Sequence, residues 1–515
     1  MTDPASPALR RRDLAVCAAT GLALSFAFPE PSISPLAWVA LAPLLVAASG
    51  TTPGRGAALG FAFGLGFFGS LIVWVSLVGW VAWTVLVLLQ AAFVALFGAG
   101  WAALSRYDRR WWLVLAPALW VVTETMRASV PVVGFPWGEL AQSQTSALWI
   151  LQVAGIGGAL TVSFLLVAVN VLVARALLAA GRRRLFFTAW AAIVLVAPAV
   201  FHIALTSFEP RFDVDTLTVG IVQGNAVEGQ RIEDERERIE RHLALTRTLS
   251  GNVDLVVWPE SAVAIDPERD PAVRALVGEA ARGAGAPMIV GANLDIDADH
   301  YQVVALLVSP EGVIVDRYEK LHLVPFGEYV PARAALDWLP LLDQVPRDAV
   351  AGTEAKNFAI GDVAATSGGI EIAPVISFEG DFGPLVRDRI AMGAQLLVVA
   401  TNTSTWGRSW ASAQHVAMSQ VRAAETGVPV VHAALSGISA FIDPTGRVIE
   451  HTGLYEEAAL TSVIGLPGNM TFYARTGEWF PMSCALIVIV VLGRSIGTSI
   501  RRRRSSSEPP STVPA

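Results

Sequence analysis

Residues 318–331 read Tyr-Glu-Lys-Leu-His-Leu-Val-Pro-Phe-Gly-Glu-Tyr-Val-Pro, and Lys320 is the residue that orients the rest of the reading. Only Lys320 and Lys356 are lysines; every other basic side chain apart from histidine is arginine. A generic surface cation in this chain is therefore an arginine. A lysine inside a dense motif points to a compact ammonium whose pKa can shift, a role a guanidinium cannot fill. The motif follows a β-rich run, so it lies where a strand hands over to a loop, the usual place for chemistry.

Two other reactive positions share that setting. Glu260 stands in Val257-Trp258-Pro259-Glu260-Ser261, directly after an apolar run, and Ser377 stands in Val375-Ile376-Ser377-Phe378-Glu379 after another. Around them the β-rich runs are Leu217–Gln223, Leu255–Trp258, Met288–Gly291, Val303–Val308, Val313–Asp316, Val375–Ser377, Leu396–Ala400, Val428–Val431 and Ile438–Ile442. Ile232–Ser250 carries Ile239, Leu243 and Leu245 among many charges, which is the pattern of an amphipathic surface helix. Ser412–Gly427 reads as a second helix that ends on a glycine C-cap. Strands alternating with helices predict an α/β layered domain.

Composition divides the chain. Hydrophobic residues make up 53% and charged residues only 16%, against about a quarter charged in ordinary soluble domains. The deficit falls before residue 208 and after residue 480. Candidate spans lie near 14–29, 34–49, 57–79, 81–104, 111–128, 147–174, 185–206 and 481–499, judged by the apolar length a bilayer requires. The first two are short and flank Pro29-Glu30-Pro31, so a partly spanning hairpin is expected there. Arg55, then Arg106, Arg109 and Arg110, then Arg182 to Arg184, and finally Arg501 to Arg504 alternate with loops near 80 and 129–146 that carry no Lys or Arg. With inside loops basic, the chain parses as a membrane domain over 1–207, an extracytoplasmic domain over 208–480 and a last span over 481–499. Residues 500–515 form a disordered cytoplasmic tail in this parse. Both termini lie inside, and the chain sits in the inner (plasma) membrane of a bacterium. Glu124 and Arg127 lie within one span at i and i+3, spaced to pair.

The net charge of −7 and the absence of a basic stripe give no reason to expect nucleic acid. No His, Cys and carboxylate set has metal spacing and no Gly-rich phosphate loop appears, so neither a metal nor a nucleotide cofactor is expected. Cys17 and Cys484 sit in or beside apolar spans, which leaves the globular part without a thiol.

The segments WPE at 258–260, YEKLHLVPFGEYVP at 318–331 and ISFEG at 376–380 resemble, in this order and spacing, the Glu–Lys–Cys elements of the carbon–nitrogen hydrolase (nitrilase) superfamily. HLVPFGEYVP resembles the apolipoprotein N-acyltransferase branch in particular. So do FAFPEPSISPLAWVALAPLL at 26–45, GLGFFGSLIVWV at 64–75, TETMR at 123–127 and GFPWGELAQSQ at 134–144. Thr401-Asn402 with Trp406-Gly407, and Gln414-His415 through Glu425, match as well. The resemblance implies a four-layer αββα sandwich. It implies Glu260 as general base, Lys320 as stabiliser of an oxyanion, Glu328 in support of the lysine and Glu379 beside the nucleophile. Trp258, Asn402 and Trp406 become substrate-contact candidates, with core packing the other reading of Trp258; His322 and His415 read as structural histidines. The implied reaction is ping-pong. An acyl chain passes from a phospholipid donor to the nucleophile, and then to the α-amine of a lipid-modified N-terminal cysteine on an apolipoprotein.

The chain departs from that pattern at its centre. The resemblance implies a cysteine nucleophile, and Ser377 holds the position. A thiol ionises near pH 8.5, whereas a hydroxyl is a weak nucleophile without a matched base. Tyr301-Gln302 stands where the pattern has Tyr-Asn. Three readings follow: an acyltransferase acting through Ser377, a catalytically impaired homologue that binds lipoproteins, lipid or a partner enzyme, and an outward-facing amidase or esterase.

Overall fold

A computed structural model describes residues 11–107, 109–208, 215–225, 235–249, 253–336, 342, 345–361, 369–466 and 469–506. Its globular part contains strands β1 (Thr216–Gln223), β2 (Leu255–Val263), β3 (Met288–Asp295), β4 (His300–Val308), β5 (Ile314–Glu319), β6 (Asp348–Ala349), β7 (Phe358–Ile360), β8 (Ile370–Ile376), β9 (Leu396–Thr401), β10 (Val430–Ala434), β11 (Ala440–Ile442), β12 (Val448–His451) and β13 (Ala458–Gly465). They form two mixed sheets. The first runs β13-β1-β2-β3-β4-β5 with β6 on β4, and the second runs β12-β11-β10-β9-β8-β7.

Side chains alternate across each strand and so serve two cores. Leu255 and Val257 of β2 face the layer between the sheets, with Ile376, Val398 and Val431. Val256 and Trp258 face the other way, under helices Glu235–Thr246 and Pro271–Ala284. On the far side Val375, Leu397 and Val399 pack under helices Gly383–Ala391 and Ala411–Thr426. The result is the expected four-layer αββα sandwich. Each of the nine β-rich runs read from the sequence falls on a strand, although Val313, Ser377, Val428, Pro429, Ile438 and Ser439 at the ends of those runs lie outside the strands. Helix Ala411–Thr426 ends on Gly427 in the left-handed region. The other expected helix is observed over Glu235–Thr246, while residues 232–234 and 250 lie outside the described set.

Among the described residues, three helices are long and apolar enough to cross a membrane: Trp80–Leu104, Ala159–Leu178 and Arg182–Val200. Val81, Val85, Phe186, Ile193 and Val196 on these helices are exposed, the surface expected of segments that face lipid. Helix Pro53–Leu71 packs so closely on Trp80–Leu104 that a Cβ on Gly60 would sit 2.3 Å from the Val94 carbonyl oxygen; small residues permit such approach between membrane helices. Three expected spans are broken, the one over 57–79 giving way after Leu71 to a 3-10 turn, Val73–Leu77. Residues 34–49 form a 3-10 turn, Ser34–Trp38, and a short helix, Ala42–Ala48. The amides of Leu41 and Ala42 at that break donate to Asn170 Oδ1 at 2.9 and 3.0 Å, and Asn170 Nδ2 donates to the Ala37 carbonyl at 2.8 Å. Residues 147–174 open with two single turns, and the long helix begins at Ala159. The last helix, Trp479–Ser506, continues beyond the expected span end. Residues 500–506, read as part of a disordered tail, are therefore helical, in keeping with the good helix propensity of arginine. Residues 507–515 lie outside the described set.

The two parts share one helix. Ala411–Thr426 turns Val416 and Ala423 toward the second sheet and Met418, Val421 and Ala424 into the core of the membrane helices.

Candidate active site

Parallel strands β2, β8 and β9 carry the reactive residues at or beyond their carboxyl ends, where layered α/β domains present ligand sites. In β2 the pairing with β3 is irregular between Trp258 and Val263, and Ser261 has φ 56°. The bulge re-aims the strand and presents Glu260. It comes so near β3 that a Cβ on Gly291 would lie 2.2 Å from the Pro259 carbonyl oxygen.

Lys320 follows β5 and is 1% exposed. Its ammonium donates to Glu260 Oε1 at 3.0 Å and to Glu328 Oε1. Glu260 Oε2 accepts the Asn402 amide at 2.8 Å, and Glu328 Oε2 accepts the Val324 amide at 2.7 Å. Two carboxylates thus enclose one ammonium. Burial alone would lower the lysine pKa, but Glu260 and Glu328 outweigh it, so Lys320 is held charged above its ordinary range. Burial pushes the Glu260 carboxyl up, against the opposing pull of Lys320. Lys356, by contrast, is a partly exposed cation paired with Asp316.

Ser377 opens the 3-10 turn Ser377–Asp381 just after β8, with φ 50°. That left-handed conformation is uncommon for a non-glycine residue and clusters at functional turns. Glu379 holds the turn against the lysine loop. Its Oε1 accepts from the Tyr318 hydroxyl at 2.8 Å and the amides of Leu321 and His322 at 2.6 and 3.1 Å, while Oε2 accepts the Ile376 amide at 2.8 Å. Ser377 Oγ is hydrogen-bonded to Thr401 Oγ1 at 3.1 Å, and the next residue, Asn402, reaches Glu260. The fold therefore gathers a hydroxyl, a buried carboxylate and a fixed cation, the parts acyl transfer needs.

The membrane part supplies one wall. Trp406 lies 4.7 Å from Trp74 and 5.4 Å from Trp137, ring centre to ring centre, and Phe135 lies 6.2 Å from Phe378. Gln414 accepts the Trp137 indole N–H at 2.7 Å and so ties this wall to the shared helix. Among the described residues no group of three or more His, Cys, Asp or Glu side chains could hold a metal ion.

Comparison with known proteins agrees with this architecture. The apolipoprotein N-acyltransferase N-terminal domain matches residues 20–172, and the carbon-nitrogen hydrolase domain matches residues 218–467. The apolipoprotein N-acyltransferase of Geobacter metallireducens is 33% identical over 525 residues, covering 98% of both chains. The chain belongs to the apolipoprotein N-acyltransferase family. The family's member from Gloeobacter violaceus is 31% identical, covering 95% of this chain and 96% of its own. Among solved structures, an amidase from Nesterenkonia sp. is 17% identical, covering 52% of this chain and 94% of its own, with a TM-score of 0.37.

Of the residues read from the sequence, the structure brings Glu260, Lys320, Glu328, Ser377, Glu379 and Asn402 together through the contacts above, with Trp406 in the adjoining wall. Of the two readings of Trp258, the structure fits core packing. Trp258 points to the opposite face of β2, is fully buried, donates from its indole to Thr246 at 2.9 Å and packs 5.2 Å from His242. The bulge between Trp258 and Val263 separates its side chain from that of Glu260, and Trp258 packs in the core of the outer layer, the second of its two readings. Glu124 and Arg127 attract each other as opposite charges but make their hydrogen bonds elsewhere. Glu124 accepts the Leu140 amide at 3.0 Å, and Arg127 donates to the carbonyls of Phe135 and Trp137 at 2.5 and 2.6 Å. Each pins the segment that carries the aromatic wall. Sequence reasoning missed Thr401 and Tyr318; both are ordinary strand residues whose role appears only once the strands are paired. Cys484 lies in the core of the membrane helices.

Proposed function

We propose that this chain completes lipoprotein maturation, moving an acyl chain from a phospholipid to the α-amine of a lipid-modified N-terminal cysteine on an apolipoprotein. The buried Glu260–Lys320–Glu328 cluster beside the Ser377 turn is the observation that carries this reading. Ser377 attacks the donor ester and becomes acylated. Lys320 neutralises the oxyanion, and a cation fixed in a dry site stabilises such charge strongly. Glu260, its carboxyl pushed up by burial, serves as base toward the incoming amine. Glu328 holds Lys320, and Glu379 holds both loops. Asn402 and Trp406 line the approach.

The arrangement in the membrane belongs to the same proposal. Residues 1–207 contribute about seven spans, residues 208–480 stand on the outer face of a bacterial plasma membrane, and residues 481–499 return the chain to the cytoplasm. The alternation of arginine-bearing and arginine-free loops supports this orientation. An active site walled by membrane segments suits two substrates that are both anchored in lipid.

Acyl-enzyme trapping tests the reading. Purified chain in phospholipid micelles is incubated with a labelled phospholipid, and Ser377 is examined by mass spectrometry beside Ser377→Ala and Ser377→Cys. Label on the wild-type chain, lost in the alanine variant, is the expected result. Label confined to the cysteine variant would overturn it. The protein would then be an intact site without a working nucleophile, and a lipoprotein- or lipid-binding role would replace transfer.

A further inference from the structure

Ser377 poses a problem that the cluster around Lys320 leaves open. Both Glu260 oxygens are engaged, one by Lys320 and one by the Asn402 amide, and the hydroxyl of Ser377 is bonded elsewhere, to Thr401. Behind Thr401 lies a buried imidazole. His415 Nδ1 is 3.5 Å from Thr401 Oγ1, and His415 Nε2 is 3.3 Å from Asp381 Oδ1. Thr401, His415 and Asp381 are each no more than 1% exposed. Neither Asp381 oxygen nor His415 Nε2 makes a hydrogen bond among the described residues, so the imidazole and the carboxylate meet as a close electrostatic contact. A buried carboxylate in that state is costly unless a cation stands against it. Arg422 reaches only the Asp381 carbonyl, at 3.4 Å, within hydrogen-bond distance.

We infer that Thr401, His415 and Asp381 form a proton relay for the Ser377 hydroxyl. The inference rests on the acyltransferase reading above and assigns the first proton of that reaction. A carboxylate only accepts, so the His415 nitrogen facing Asp381 carries a proton and Nδ1 of the neutral ring is an acceptor. Hydroxyls turn to suit their partners. In the resting structure Thr401 Oγ1 donates to Ser377 Oγ; once the Thr401 hydroxyl turns to donate to Nδ1, its oxygen accepts from Ser377. The Thr401–His415 contact is long at 3.5 Å and the His415–Asp381 contact is not aligned as a hydrogen bond; catalytic hydrogen bonds are often poorly aligned until substrate binds.

The step balances as follows. Ser377 Oγ bonds to the carbonyl carbon of the phospholipid ester while its O–H bond breaks. That proton moves to Thr401 Oγ1 as the hydroxyl proton of Thr401 moves to His415 Nδ1. The carbonyl π pair moves onto oxygen, where Lys320 stabilises it. On collapse that pair re-forms the carbonyl, and the ester C–O bond to the lysophospholipid breaks. The departing oxygen takes the proton returned from His415 through Thr401. Thr401 is the catalytic contact, because it touches the reacting oxygen. His415 and Asp381 act through it as positioning residues. Glu260 is left free for the amine of the second half-reaction.

The test uses the nucleophile itself. A thiol ionises readily and needs no such relay, so the relay matters to Ser377 and not to Ser377→Cys. Single-turnover acylation by labelled phospholipid is measured for His415→Gln, Asp381→Asn and Thr401→Val in both backgrounds. In the serine chain each variant slows acylation by about 100-fold or more, the usual worth of a general base. In the Ser377→Cys chain the change is within about threefold, and Thr401→Ser restores the serine chain. Equal losses in both backgrounds would overturn the relay and make these residues structural. Unchanged acylation in all three variants of a labelled wild type would overturn the relay alone. Absence of label on wild type would overturn the relay together with the acyltransferase reading.

Discussion

At Glu379 a single carboxylate joins two loops that the chain separates by more than fifty residues. Tyr318, Leu321 and His322 donate to one oxygen and Ile376 to the other. Burial pushes its carboxyl up, while the donors around it pull the other way. The ionised form is the one that all four donors fit. Glutamine keeps the shape but offers one oxygen and one NH2 group. Whichever way the amide turns, at least one backbone N–H loses its acceptor and meets a donor. Glu379→Gln is expected to cost roughly 1–3 kcal/mol, the range for an orphaned buried group. It is also expected to slow acylation, because the Lys320 loop and the Ser377 turn lose their common anchor. Thermal unfolding in detergent and the acylation rate measure both. An unchanged melt with an unchanged rate would show that the four contacts do not matter.

At the scale of elements, the broken segment over 34–48 depends on one side chain. A helix interrupted inside a membrane must satisfy its freed backbone groups from within the protein. Asn170 does so three times, taking the amides of Leu41 and Ala42 and giving to the Ala37 carbonyl. Asn170→Leu is close in volume but can make none of these bonds. We expect a loss of roughly 2–5 kcal/mol, read as a lower thermal midpoint and faster proteolysis within 34–48. A variant as stable as the wild type would mean that the segment finds other partners. The same element shows what the sequence could and could not tell. Pro29 and Pro31 gave the turn before this segment but not the break within it, and the strand runs of the sandwich were legible because short apolar runs rich in β-branched residues are a local signal. The two-sheet layering was reached through the resemblance of the WPE, YEKLHLVPFGEYVP and ISFEG segments. Asn170 was invisible because its partners lie 128 to 133 residues away. Trp258 was left between two readings for a related reason. It neighbours Glu260 by two positions, but the bulge at Glu260 breaks the parity that would have placed both on one face. The relay behind Ser377 was hidden too, since Thr401, Asp381 and His415 come from a strand, a turn and a helix.

Over the whole molecule, the seam between the membrane part and the sandwich is held by charge in a dry place. Arg422 of the shared helix is 1% exposed, with Glu425 Oε1 at 3.2 Å and Glu139 Oε2 at 3.9 Å. Glu425 also accepts the Ala159 amide at 3.2 Å, at the first turn of a membrane helix, where a negative charge suits the helix dipole. Two carboxylates share one guanidinium, so one of them lacks a full counter-charge. Burial, against the pull of Arg422, pushes Glu139 from 4.5 up to about 8 and Glu425 from 4.5 up to about 7. The sign of the linkage follows. Between the ordinary value and the raised one, the folded state keeps protons that the unfolded chain has lost, so stability falls as pH rises through this window. The contribution is fully present below about 4.5 and is gone above about 8. In detergent, the thermal midpoint should therefore decline between about pH 4.5 and about pH 8. Glu139→Gln, which has no proton to lose, should flatten much of that decline while leaving Lys320, Glu260 and Ser377 in place. If the decline were the same in Glu139→Gln and Glu425→Gln as in the wild type, these carboxylates would not be the titrating groups. If the midpoint instead rose over this range, the seam would be an ordinary ion pair, with both carboxylates ionised in the folded state.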